Sequence, residues 1–169
     1  MANTFELIAS YTATGSVSSI DFTSIPSTYT DLCLKISVRS DRAASNWDNS
    51  QLKINNSTAN LTNRYVRGNG SVAASGTLTA FYIGDIPATL ATSNTFANQE
   101  IYIPNYAGSA YKSGSVDSAG EDNNSTAYLY LTANLWSQTT AINQLTVFSG
   151  NLDNFVQYST AYLYGVKNA

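Results

Sequence analysis

Apolar and polar residues alternate with a period of two along most of this chain, and no stretch carries the 3.6-residue period of an amphipathic helix. Phe5, Leu7, Ala9 and Tyr11 alternate in the first run, and Ile20 and Phe22 follow a Gly-Ser turn. Leu32, Leu34, Ile36 and Val38 mark the clearest strand, with Lys35, Ser37 and Arg39 on its other side. Further strands read at 50–54, 61–67, 77–83, 95–103, 111–118, 126–136, 142–148 and 156–166. Asn69-Gly70 predicts a hairpin turn, since both residues accept positive φ. Pro26, Pro87 and Pro104 fall at strand ends or in loops, where a missing N–H does no harm. Many short strands without a helix predict an all-β fold: an antiparallel β-sandwich, jelly-roll-like, of about eight to ten strands. Residues 1–169 show no linker and read as a single β-sandwich domain. The expected core includes Leu32, Leu34, Ile36, Val38, Ile101, Ile103, Leu129, Leu131, Leu145, Val147 and Leu163.

The hexapeptide STAYLY occurs twice, at 125–130 and at 159–164. Nothing around the copies repeats at their 34-residue spacing, so a solenoid does not follow. Two strands with the same packing needs account for both. Leu129 and Leu131 share a side with Ala127, opposite Tyr128 and Tyr130, while Ala161 and Leu163 lie opposite Tyr162 and Tyr164. The expectation is aliphatic residues inside and tyrosines outside, where a neighbouring subunit or another surface covers part of them. The alternative is that the tyrosines pack under loops of the same chain.

Chemistry is scarce. Without a histidine the chain has no Ser-His-Asp triad, no Cys-His pair and almost no catalytic zinc site, so no enzyme is expected. Cys33, the one cysteine, sits between two leucines and reads as a structural thiol. Charged residues are 11% of the chain, against about 25% in an average globular domain. With a net charge of −3, no basic surface for nucleic acid is indicated. No run of 18 apolar residues suggests a membrane span, and the first residues lack the pattern of a secretory signal.

Three local features are candidate sites. Asp117, Glu121, Asp122 and Asn123 offer oxygen ligands on a loop, but they do not match a twelve-residue calcium loop; an acidic turn is the simpler reading, with no metal or cofactor expected. Asn46, Trp47, Asp48 and Asn49 combine amides with an aromatic ring, as a glycan-binding loop does, or as a packing anchor does. Six of the eight basic residues lie between 35 and 67. Arg39, Arg42, Arg64 and Arg67 among them, with Tyr128, Tyr130, Tyr162 and Tyr164, form the candidate interface, unless strand pairing mixes the charges in space.

Four stretches carry a resemblance: FTSIPSTYTDL at 22–32, SDRA at 40–43, EIYIPNYAG at 100–108 and LYGVKNA at 163–169. The chain resembles short β-sandwich virion structural proteins of tailed bacteriophages, especially phages of aquatic or cyanobacterial hosts. That resemblance implies a non-enzymatic protein of the virion, assembled in the bacterial cytoplasm. As a capsid decoration or cement protein it would bind the major capsid protein on the outside of the shell, as a homo-oligomer, trimer or dimer. The alternatives are a tail-fibre or receptor-binding component recognising host surface glycans, and a free carbohydrate-binding module. The absence of coiled-coil heptads or a shaft-like segment favours decoration. Neither a nucleic acid nor a membrane is an expected partner.

Overall fold

The computed structural model describes residues 4–123 and 126–167. Twelve strands run in the order β1 (Phe5–Thr12), β2 (Ser19–Phe22), β3 (Asp31–Val38), β4 (Trp47–Ile54), β5 (Leu61–Gly68), β6 (Ala73–Leu78), β7 (Phe81–Pro87), β8 (Ala97–Pro104), β9 (Lys112–Gly120), β10 (Tyr128–Trp136), β11 (Leu145–Ser149) and β12 (Thr160–Val166). Every pairing is antiparallel. The protein is all-β, with no helix among the described residues.

Four pairings set the topology: β1 with β12, β2 with β11, β3 with β8, and β4 with β7. They are the successive rungs of one long hairpin. Winding it places alternate rungs in two sheets, and β12–β3 and β11–β4 close the seams. This is a jelly roll. Two hairpins are inserted into it, β5–β6 between β4 and β7, and β9–β10 between β8 and β11. Both join the same sheet beyond β8. The result is an eight-stranded sheet, β1-β12-β3-β8-β9-β10-β5-β6, over a four-stranded sheet, β2-β11-β4-β7.

The main core lies where both sheets are present. Leu32, Leu34, Ile36, Val38, Ile101, Ile103 and Leu163 of the larger sheet meet Ile20, Leu52, Ile54, Phe81, Leu145 and Val147 of the smaller. Nine of the eleven expected core residues are buried there. Leu129 and Leu131 are not: they are 59% and 61% exposed. The run expected at 77–83 is also two strands, broken at Thr79 and Ala80, where the chain passes from the larger sheet to the smaller. The Asn69-Gly70 turn forms as expected, with Gly70 at φ 85° and the Asn69 carboxamide accepting from the N–H groups of Ser71 and Val72.

Cys33 is buried between Tyr164 and Tyr102 in the strand register, and burial pushes its thiol up to about 11. It is a packed structural thiol.

Candidate functional site: the outer face of the larger sheet

Beneath β9, β10 and β5 the smaller sheet offers chiefly its edge strand, β7, with Trp47 of β4 at one end. That edge is polar, and it dictates which side of β10 turns inward. Asn134 takes hold of it, accepting from the Tyr82 N–H and donating to the Tyr82 carbonyl, so one carboxamide stands in for a missing neighbour strand. Tyr130 and Tyr82 both donate to the Asp85 carboxylate, at 2.7 and 2.5 Å. Arg67 donates to the Tyr130 hydroxyl at 3.0 Å and lies 3.8 Å from Asp85. The rings of Tyr65, Tyr82 and Tyr130 pack with centroids 5.4 to 5.9 Å apart. Burial holds the Asp85 carboxyl above the usual carboxylate range, against the pull of Tyr82, Tyr130 and Arg67. Burial, reinforced by Asp85, raises Tyr130 to about 12.

The inward side of β10 is therefore Tyr128, Tyr130, Thr132, Asn134 and Trp136. Its leucines face water, which corrects the expectation that Leu129 and Leu131 are core. Tyr128 and Tyr130 consequently do not form an outer tyrosine face: Tyr130 is 5% exposed, and Tyr128 packs edge-on against Trp47 at 5.0 Å. The second copy of the hexapeptide follows the expectation. Ala161 and Leu163 are buried, while Tyr162 and the half-buried Tyr164 lie on the outer face. The first copy begins at Ser125, outside the described residues.

The basic candidates separate. Arg39 is buried, and its guanidinium donates to the carbonyls of Thr92, Thr95, Ala88 and Ala91; it organises the loop between β7 and β8 and presents little surface. Half-buried Arg42 donates to the Trp47 carbonyl, and Arg67 belongs to the inner cluster. Arg64 alone of the four is exposed. Strand pairing mixes charges, placing Lys35 2.9 Å from Glu100.

The loop considered for glycans is also occupied. Trp47 starts β4, and its ring covers Gly120, where a Cβ would come within 2.8 Å. Asp48 is buried and accepts from Ser149, Asn151 and the Asn49 N–H. Asn46 accepts from Ala88 through its carbonyl, and the Asn49 carboxamide accepts from Gln51. These residues are a packing anchor. Asp117 lies on β9 rather than on a loop, and Asp122 is buried; among the described residues no cluster of metal-ligating side chains occurs.

The surface that remains is the outer face of the larger sheet. One row crosses seven of its strands in register: Tyr162, Lys35, Glu100, Asp117, Leu131, Val66 and Ser75. Below it run Ala119, Leu129, Gly68 and Ala73. A shallow groove of about 700 Å³ lies here, its walls including Leu129, Leu131, Val66, Ala73 and Ser75. A charged band, Lys35–Glu100 and Asp117, separates this aliphatic patch from an aromatic one at the other end, where Phe5 stacks edge-on against Tyr164 at 6.4 Å. Residue-level reading missed the aliphatic patch. The signal was Trp136, whose size demands burial and whose parity along β10 carries Tyr130 inward with it. Comparison with protein families, with curated proteins and with solved structures finds no match to this chain.

Proposed function

We propose that this chain is a non-enzymatic structural protein of a phage particle, a decoration or cement subunit whose outer β10 face rests on the major capsid protein. The reading is carried by the exposure of Leu129, Leu131 and Val66 side by side on one face of the sheet. Leaving each in water forgoes about 1.5–3 kcal/mol relative to burial. A contiguous aliphatic patch of this kind marks a contact surface. Its shape points to a protein partner: the patch is shallow and has few polar groups, whereas a small-molecule site is concave with convergent polar groups. The virion assignment itself comes from the sequence resemblance. Many copies, each burying a modest area, would hold a shell together by avidity.

The test is quantitative gel densitometry of purified particles from the virus encoding this chain. Hundreds of copies per particle are expected, and incorporation should be lost in a Leu129→Asp/Leu131→Asp variant that still folds. Tens of copies or none, or undiminished incorporation of the variant, would contradict the reading.

A further inference from the structure

Each sheet has two edges, and three of the four carry a device that blocks pairing with another strand. β1 has a bulge between Leu7 and Ala9 and a charged Glu6 bound to Lys167. β2 is only four residues long and contains Asp21. β7 is held by Asn134, carries Asp85 and ends in Pro87. β6 has none of these. Its sequence, AASGTL, is uncharged and free of proline, and its ladder with β5 runs without a break from Ala73 to Leu78. No described strand lies beyond it.

β6 is also short of support. Five of its six residues are exposed, because the smaller sheet does not reach beneath it and its packing is with β5. The Asn69 N–H donates to the Val72 carbonyl and closes the hairpin. Counting by two from that pair, Ala73, Ser75 and Thr77 turn their backbone N–H and C=O groups away from β5.

We propose that β6 pairs antiparallel with β6 of a second copy of this chain, about a two-fold axis perpendicular to the sheet and centred on Ser75. Ala73 then lies opposite Thr77 of the other copy, and the outward groups exchange about six hydrogen bonds. A second copy is the fitting occupant because the strand is neutral along its whole length and small from Ala73 to Thr77, the residues that pair. Self-pairing brings no like charges together and meets no bulky side chain. The two larger sheets join with their outer faces on one side. The two Val66–Leu131 patches then lie on that same side, with the β5 strands about 14 Å apart across the paired edges. This pairing does not depend on the virion reading and is tested on the purified chain alone.

An edge pairing buries less than the roughly 1,000 Å² of a stable interface, so the dimer should be weak and visible at high concentration. Sedimentation equilibrium up to about 1 mM is expected to show a reversible monomer–dimer equilibrium. Under mild oxidation, Ser75→Cys should form a disulfide-linked dimer at least about tenfold faster than Leu152→Cys, a control on an exposed loop, since facing Cα atoms about 5.5 Å apart suit a disulfide. Buried Cys33 does not compete. Ser75→Pro removes an outward N–H that β5 does not use, and should abolish the dimer while leaving the melting temperature of the monomer unchanged; Ser75→Lys serves if the proline variant does not fold. A chain monomeric at every concentration, equal cross-linking of the two cysteine variants, or undiminished dimer in a folded Ser75 variant would overturn the proposal.

Discussion

The same three residues, Tyr-Leu-Tyr, face opposite ways in two strands of one sheet. In β12, Ala161 and Leu163 enter the apolar core and Tyr162 faces solvent. In β10, Tyr130 enters and Leu129 faces solvent. The strands differ in what lies beneath them. β12 sits over the smaller sheet, where Ile20, Leu145 and Val147 offer only aliphatic surface, and a tyrosine hydroxyl there would find no partner. β10 sits over the polar edge of β7, where Asp85 and the Tyr82 backbone need partners that only the tyrosine and asparagine side of β10 supplies. A buried carboxylate left without partners costs more than an exposed leucine does, so the edge strand decides the parity.

The sharpest way to break this comparison is to truncate the matched leucines. Leu163→Ala should cost about 2–5 kcal/mol in urea unfolding, as a cavity in a fixed core does. Leu129→Ala should stay within about 0.5 kcal/mol of the parent, as at an exposed site. Equal losses would mean that both leucines are buried.

The tyrosines give the converse. Tyr130→Phe strips a donor from the buried Asp85 carboxylate and an acceptor from Arg67, and should cost about 1–3 kcal/mol. Tyr162→Phe should change stability by less than about 0.5 kcal/mol. If Tyr130→Phe were equally silent, the polar cluster would not be what orients β10.

A smaller effect concerns pH. The Asp85 carboxyl is raised in the folded state, chiefly by desolvation. Folding therefore favours its protonated form, and that contribution is fully present below the unfolded value of about 4 and is lost as pH rises through the folded value. Asp85→Asn should remove this component. The difference in unfolding free energy between the parent and Asp85→Asn should shift in favour of the variant as pH rises from about 4. A difference that stays constant with pH, or shifts toward the parent, would show that Tyr82, Tyr130 and Arg67 outweigh burial.

Much of the fold was legible because period-two alternation reports strands, and in β3, β8 and β12 the more apolar side is also the more buried side. The parity of β10 was not legible from Leu129 and Leu131, since hydrophobicity ranks a side chain without knowing its neighbours. Tyr82 and Asp85 lie 52 and 45 residues from their β10 partners Asn134 and Tyr130, and only the fold brings them together. Arg39 misled for a related reason: charge suggests a surface, yet four backbone carbonyls of one loop converge on its guanidinium. The break at Thr79 and Ala80 has no glycine or proline to announce it, and a change of sheet leaves no mark on a short alternating run.

The opposed facing of the two Tyr-Leu-Tyr stretches is tested most directly by thiol accessibility in the folded, dilute chain, with Cys33 buried and silent. Four single variants, Leu129→Cys, Tyr130→Cys, Tyr162→Cys and Leu163→Cys, are reacted with a thiol reagent under native conditions. The account predicts that Leu129→Cys and Tyr162→Cys react at rates near those of a free thiol, while Tyr130→Cys and Leu163→Cys are protected until unfolding. Protection of Leu129→Cys together with rapid reaction of Tyr130→Cys would contradict it, and would place the leucines of β10 in the core.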